Sequence, residues 1–127
     1  MGVSPDIWGP ILWGAIHITC LTGSATPQFV SAFADALPCP ACSGHFKQLL
    51  AEFPFPETKD PVILFEWSVN AHNRVNARLG KPIVTMEQAL QRWTGKEVEV
   101  PPPQFDFKIM LIIILMIALI IMFVKNK

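Results

Sequence analysis

The 127-residue chain has no tyrosine, only three cysteines and no excess of either charge, since ten Lys and Arg side chains balance ten Asp and Glu. A balanced chain without long runs of like charge has no extended field that would hold a polyanion, which argues against a nucleic-acid partner. The alternation of apolar and polar residues that marks a half-buried strand is missing over any useful length. A chain this short buries one compact core, so the sequence predicts a single small all-α domain with accessory segments.

The helix starts are marked by side chains that cap free backbone N–H groups. In several of them a proline follows the cap, and its missing N–H costs nothing in the first helical turn. The predicted caps are Ser4, Thr26, Asp60 and Thr85, the last in a capping box with Gln88, and Cys39-Pro40 opens a further helix. The predicted helices span 5–22, 27–37, 40–53, 61–79 and 86–93. Together they form a four- or five-helix bundle within residues 1–94.

The C-terminal part of the chain differs in composition from the bundle. Residues 95–108 carry charges, glycine and three consecutive prolines, which predicts a stiff spacer. Residues 109–124 are all apolar and would rise about 24 Å as a helix, which approaches the thickness of a bilayer core. Residues 125–127 form a short tail. No leader-like segment is found at the N-terminus, so we predict a tail-anchored protein whose bundle faces the cytosol.

The sequence Cys39-Pro-Ala-Cys42 admits three interpretations from its residues alone. A zinc site would use both cysteines and His45, but the fourth ligand would be a single distant histidine, His17 or His72. A structural disulfide would close a very small loop and would therefore stabilise weakly. Redox use is favoured, because the positive end of the helix that starts at Pro40 lowers the pKa of the Cys39 thiol. A zinc-stabilised adaptor and a flavin-free thiol–disulfide relay remain as alternatives.

Three sequence blocks together resemble a known family. "WGPILWGAIH", "LPCPACSGHF" and "HNRVNARLGKP" are similar to the signature blocks of the Erv/ALR FAD-linked sulfhydryl oxidases, over residues 8–93. The compact form of the chain is most similar to the members encoded by large DNA viruses. The resemblance implies a helical bundle around FAD that oxidises dithiols to disulfides and passes the electrons to oxygen, giving hydrogen peroxide. In that scheme Cys42 resembles the cysteine beside the flavin and Cys39 the outer cysteine that meets substrate.

The resemblance also implies partners and a location. The substrate would be a dithiol protein, with a thioredoxin-like relay as one candidate, and oxygen would be the electron acceptor. The chain would form a homodimer and would be held on a membrane by its C-terminal helix. For a viral source that membrane would belong to the host or the virion.

Two helical stripes carry the candidate cofactor residues. Trp13 and His17 are four residues apart and share a face with Gly9, while His72 and Asn76 repeat that spacing on another helix. The resemblance implies that FAD contacts Gly9, Trp13, His17, Trp67, His72, Asn73, Val75, Asn76, Lys81 and Trp93, with no metal ion. Within this set Lys81 resembles a phosphate contact and Trp93 a wall beside the flavin or the adenine. Trp67 is either a flavin wall or a core residue.

The chain departs from many cellular relatives in its cysteines. Those relatives carry a disulfide that clamps the FAD region, whereas "WSVNAHN" and "KPIVTMEQ" contain no cysteine here. Flavin binding and packing must therefore hold the fourth and fifth helices. Cys20 lies in an apolar stretch of the first helix and is predicted to be a buried bystander.

Overall fold

The computed structural model describes residues 2–96 and 107–125, and these residues form six helices without a strand. The helices are α1 (Pro5–Leu21), α2 (Pro27–Ala36), α3 (Pro40–Glu52), α4 (Pro61–Arg78), α5 (Met86–Thr94) and α6 (Phe107–Lys125). The all-α prediction is confirmed, and each bundle helix begins and ends within about one residue of its predicted range. Most of the predicted spacer and the last two residues of the tail lie outside the described residues.

Every predicted helix cap is present. Ser4, Thr26 and Asp60 each accept a hydrogen bond from a backbone N–H group in the first turn of α1, α2 and α4. At α5 the side chains of Thr85 and Gln88 make the reciprocal bonds of a capping box. The sulfur of Cys39 caps α3 and lies 3.2 Å from the backbone nitrogen of Cys42. The bundle boundaries therefore follow from local side-chain chemistry.

Helices α1 and α4 form the centre of the bundle and run antiparallel. His17 contacts Ser68, whereas Trp13, one turn earlier on α1, contacts His72, one turn later on α4. Helices α2 and α3 pack against each other on one side, and α5 packs on α4 on the other. The main core joins all four of the longer bundle helices through Ile16, Cys20, Val30, Ala34, Phe46, Leu49, Leu64, Trp67 and Ala71, together with Ala25 between α1 and α2.

One glycine allows the turn after α1 to lie against the segment before α4. Gly23 has a φ of +68°, a conformation that side chains with a Cβ atom rarely adopt. A Cβ atom at this position would lie 2.9 Å from the carbonyl oxygen of Lys59. Both the backbone angle and the close approach therefore require glycine here.

Helix α6 is the one described helix that is long and apolar enough to span a membrane. It has 19 residues, a mean hydropathy of 3.1 in its most apolar window and no burial of that window within the protein. Its 19 residues rise about 28 Å, close to the thickness of a hydrocarbon core. The predicted C-terminal helix is therefore present and begins two residues earlier than expected, at Phe107.

Candidate active site

A cavity of about 560 Å³ opens between α1, α3, α4 and α5. This volume lies within the range of small-molecule and cofactor pockets. All but two of the predicted site residues line it, namely Gly9, Trp13, His17, Cys42, His72, Asn73, Val75, Asn76, Lys81 and Trp93. The two exceptions are Cys39 and Trp67. The residues that the sequence placed on separate helices thus meet around one space.

The redox candidates lie at the start of α3. Cys39 and Cys42 are joined by a disulfide, and both side chains are partly exposed. Cys42 contributes to the cavity lining and Cys39 does not. The disulfide therefore joins a residue that lines the cavity to one that does not. In this state the two sulfur atoms are bonded to each other.

A stacked pair of rings forms one wall of the cavity. The indole of Trp13 lies parallel to the imidazole of His72, with the ring centroids 4.1 Å apart and an angle of 5° between the planes. The edge of Phe46 meets the same indole at a centroid distance of 5.8 Å. These contacts hold both rings in fixed planes beside the cavity, where a flat ligand can stack.

A chain of hydrogen bonds links α1 to α4 behind this wall. His17 Nδ1 lies 2.8 Å from the hydroxyl oxygen of Ser68, and His17 Nε2 lies 3.0 Å from His72 Nδ1. The Ser68 hydroxyl also bonds to the carbonyl oxygen of Phe65, at 2.7 Å. Sequence reasoning missed Ser68, although it lies four residues before His72 and therefore on the same face of α4.

Burial keeps the imidazoles of His17 and His72 neutral. Loss of solvent, and then the proximity of His72, lowers the pKa of His17 to about 4. Loss of solvent, followed by the positive charge of Lys81, lowers the pKa of His72 to about 4. By the same physics, burial raises the pKa of the Cys20 thiol to about 11, so Cys20 is a protonated thiol in the core.

The two candidate asparagines on α4 have different surroundings. The amide of Asn73 makes two bonds to one loop residue, donating to the Val84 carbonyl at 2.8 Å and accepting from the Val84 N–H at 2.9 Å. The side chain of Asn76 is buried, lines the cavity and has no hydrogen-bond partner among residues 2–96 and 107–125. Asn73 therefore holds the loop that follows α4, while the amide of Asn76 is open to a ligand.

Trp93 reaches the cavity by packing over a glycine. A Cβ atom on Gly14 would lie 2.9 Å from the Cη2 atom of Trp93, so only a glycine lets the indole approach α1 this closely. The same indole lies 5.3 Å from the ring of His17. Gly14 was not singled out from the sequence, because nothing local to α1 shows that an aromatic side chain of α5 covers it.

Basic side chains surround the mouth of the cavity. Lys81, Arg78 and Arg92 are exposed and contribute to its lining. Lys81 Nζ lies 3.8 Å from an Asp6 carboxylate oxygen, a surface pair that stabilises the fold little. The mouth is therefore suited to an anionic group, and of these three cations the sequence had indicated Lys81 alone.

Trp67, for which the sequence left two roles open, lies in the core. Its side chain is 4% exposed, and its Nε1 donates to the Phe53 carbonyl at 3.3 Å. The rings of Phe53 and Phe55 cover it from two directions, and it does not line the cavity.

As for metals, the described part of the chain holds no group of three or more His, Cys, Asp or Glu side chains close enough to bind an ion.

Comparison with known proteins identifies relatives of this arrangement. The sequence profile of the Erv1/Alr family matches residues 12–94. An FAD-linked sulfhydryl oxidase of African swine fever virus is 29% identical over 90 residues, covering 64% of this chain and 75% of that protein. The mitochondrial FAD-linked sulfhydryl oxidase of Saccharomyces cerevisiae is 28% identical over 100 residues, covering 70% of this chain and 52% of that protein.

A protein of Invertebrate iridescent virus 6, whose name assigns it provisionally to the same enzymes, is 29% identical over 109 residues. That match covers 72% of this chain and 96% of the viral protein. The profile match spans α2, α3, α4 and α5 and most of α1. It includes every residue that lines the cavity except Pro5, Asp6, Trp8, Gly9 and Pro10. On these grounds the chain belongs to the Erv1/Alr family.

Proposed function

We propose that this chain is an FAD-dependent thiol oxidase that forms disulfides in substrate proteins. The observation that carries the proposal is the position of Cys42, which belongs to a disulfide and lines the same cavity as the His17–His72 pair. Relatives named as FAD-linked sulfhydryl oxidases match 64% and 70% of this chain.

The residues around the cavity fit a flavin dinucleotide. Trp13 and Trp93 offer flat aromatic surfaces, and the unpartnered amide of Asn76 offers both a donor and an acceptor. Exposed cations at the mouth fit the diphosphate. We propose that the cofactor is held by Gly9, Trp13, His17, His72, Val75, Asn76, Lys81 and Trp93, with Asn73 acting through the loop that it fixes.

The protein's own part in the reaction is thiol–disulfide exchange at the start of α3. A substrate thiolate attacks the sulfur of Cys39, the Cys39–Cys42 bond breaks, and Cys42 leaves as a thiolate. The second substrate thiolate then attacks the substrate sulfur of the mixed disulfide, releasing oxidised substrate and the Cys39 thiolate. Both thiolates lie at the N-terminus of α3, where the helix dipole and the Cys42 N–H group stabilise negative charge.

A flavin held by these residues would supply the acceptor for the two electrons released when Cys39 and Cys42 re-form their disulfide, with oxygen as the final acceptor. In the balanced reaction two thiols and one oxygen molecule give one disulfide and one hydrogen peroxide. The cofactor supplies the redox chemistry, and the chain supplies the reactive cysteine pair, the stacking surfaces and the closed side of the cavity.

The proposal includes a location and an assembly. Helix α6 would anchor the enzyme in a membrane, of the host or the virion for a viral source, with the bundle in the cytosol, where it would oxidise dithiol proteins directly or through a thioredoxin-like relay. A homodimer is supported by Ile7, Ile11 and Ile18, which are all more than half exposed and lie on one face of α1. Protease protection of a C-terminal tag in intact vesicles tests the orientation.

The decisive experiment is purification of the full chain in detergent, followed by assays of bound flavin, oxygen consumption and peroxide with a small dithiol. We expect a yellow protein that oxidises the dithiol. Cys42→Ser and Cys39→Ser should each reduce turnover to below about a tenth of wild type while flavin stays bound, because the cofactor contacts lie mainly on α1 and α4.

Cys20→Ala is the matched control, since this third thiol is buried and should change neither rate nor flavin content. A colourless protein with stoichiometric zinc would contradict the proposal in favour of an adaptor. A colourless protein that exchanges disulfides without consuming oxygen would instead favour the flavin-free relay.

A further inference from the structure

The hydroxyl group of Ser68 has a single proton, and its surroundings decide where that proton points. The carbonyl oxygen of Phe65, 2.7 Å away, is only an acceptor, so the hydroxyl donates to it. His17 Nδ1 lies 2.8 Å from the same hydroxyl oxygen. The Cys20 thiol is a further neighbour of this hydroxyl, but a thiol is only a weak donor and acceptor. With its proton donated to Phe65, the Ser68 oxygen accepts, and His17 Nδ1 carries the hydrogen of their bond.

The direction of this bond also determines the direction of the next one, between His17 and His72. A neutral imidazole with a proton on Nδ1 has a lone pair on Nε2. His72 Nδ1 lies 3.0 Å from His17 Nε2 and must supply the hydrogen of that bond. His72 is then also protonated on Nδ1, which leaves its Nε2 as an acceptor.

The second nitrogen of His72 is available to a ligand. His72 lines the cavity, and its Nε2 makes no hydrogen bond within residues 2–96 and 107–125. The stacked indole of Trp13 holds the plane of the imidazole. A ligand in the cavity therefore meets a lone pair whose direction the protein fixes.

We propose that Ser68 is a positioning residue that holds His17 and His72 in their Nδ1-protonated tautomers, so that His72 Nε2 accepts a hydrogen bond from an amino or hydroxyl group of the cofactor. This inference rests on the proposed function and deepens it by stating which kind of cofactor group faces His72. A phosphate oxygen, which only accepts, is excluded from that position, and the basic side chains at the mouth provide the alternative place for it.

The reverse direction of the hydrogen-bond chain is disfavoured. It would require the Ser68 hydroxyl to turn its single proton from the Phe65 carbonyl to His17 Nδ1, which would break the buried 2.7 Å bond to Phe65. The loss of a buried hydrogen bond is more costly than that of an exposed one. Burial also keeps both rings neutral at neutral pH, since it lowers the pKa of each imidazole to about 4.

The direct test is the tautomer of each histidine, read from long-range ¹H–¹⁵N spectra of the full chain in detergent micelles, labelled at histidine and freed of flavin. We expect His17 and His72 to show a protonated Nδ1 and a bare Nε2. His45 is exposed and makes no hydrogen bond to the described residues, so it serves as the internal reference. A protonated Nε2 on either His17 or His72 would overturn the assignment.

Substitutions then test whether Ser68 is the cause. In Ser68→Ala, His17 should populate both tautomers, and the dissociation constant for FAD should rise about fivefold, as expected for one lost hydrogen bond. Ser68→Thr keeps the hydroxyl and should restore the single tautomer. Unchanged tautomers in Ser68→Ala would refute the positioning role. If that variant does not fold, the wild-type spectrum still decides the direction of the hydrogen bonds between Ser68, His17 and His72.

Addition of FAD tests the acceptor role separately. The ¹⁵N resonance of His72 Nε2 should shift as its lone pair accepts a hydrogen bond, while Nδ1 keeps its proton. Protonation of Nε2 on binding would show an anionic group at this position and overturn the inference. If FAD does not bind to the wild type at all, the proposed function fails and the acceptor role fails with it, whereas the tautomers of the flavin-free protein still decide the role of Ser68.

Discussion

The three cysteines differ in reactivity because their surroundings differ. Cys20 is fully buried, and burial raises the pKa of its thiol to about 11, so it is not a nucleophile near neutral pH. Cys39 and Cys42 are partly exposed at a helix N-terminus, which favours their thiolates. The local sequence already distinguishes Cys20 from the other two cysteines. Cys20 lies in an apolar run, whereas Cys39 and Cys42 lie on either side of the proline that opens α3.

Gly14 is predicted to set the position of Trp93. In Gly14→Ala the new methyl group would overlap the indole and push it from α1, because the contact would be 2.9 Å. We expect a changed near-ultraviolet circular dichroism signal, a lower melting temperature and about tenfold weaker FAD binding in a flavin titration.

Gly44→Ala is the matched control for this substitution. Gly44 lies in α3 with no neighbouring atom within 4 Å of the added Cβ, so alanine should raise stability by up to about 1 kcal/mol through helix propensity. An unchanged Trp93 environment in Gly14→Ala would contradict the steric argument.

At the scale of single elements, α4 carries three residues of the site region on one face. Ser68, His72 and Asn76 are successive members of a four-residue spacing, and all three are at least partly buried. The helix also fixes the loop that leads to α5, through Asn73 and Val84. The proposed cofactor contacts and the attachment of α5 therefore depend on the same element.

Removal of the His72 and Asn76 side chains of α4 should weaken cofactor binding. His72→Ala with Asn76→Ala removes hydrogen bonds worth about 1 kcal/mol each, so the affinity for FAD should fall at least about tenfold. The double variant should purify pale, melt at a lower temperature and recover partly in excess FAD, since a ligand that binds only the folded state stabilises it. Wild-type affinity in this variant would mean that α4 does not hold the cofactor.

Loss of the Asn73 amide should loosen the loop before α5. Asn73→Ala breaks both bonds to Val84, and we expect the free energy of unfolding to fall by about 1–2 kcal/mol, with faster hydrogen exchange at the Val84 amide. Asn70→Ala is the matched control, because Asn70 lies on the exposed side of the same helix. Equal protection of the Val84 amide in wild type and Asn73→Ala would contradict this role.

For the whole molecule, stability should decrease as pH falls below neutrality. Burial, assisted for His17 by His72 and for His72 by Lys81, lowers the pKa of both imidazoles to about 4, whereas an unfolded histidine titrates near 6.5. Between these values the unfolded chain binds more protons, so the stability present above about pH 6.5 is lost progressively towards pH 4. The free energy of unfolding changes by at most about 1.4 kcal/mol per pH unit for each imidazole.

Thermal unfolding of the full chain in detergent between pH 7 and pH 5 measures this effect, above the range where most carboxylates titrate. A melting temperature independent of pH in this window would show that the two imidazoles are not held neutral.

The sequence by itself determined the helices, the apolar C-terminal segment and ten of the residues that line the cavity. Caps, prolines and a four-residue spacing act within one turn of the chain, so helix starts and shared faces such as Trp13 with His17 can be predicted locally. The tertiary structure alone decided which of these side chains contact other helices. It placed Trp67 in the core, bound Asn73 to Val84 while leaving Asn76 open, set Gly14 beneath Trp93 and joined Ser68 to His17. Each of these contacts joins residues more than ten positions apart, and their geometry depends on how the helices pack, which no local pattern specifies.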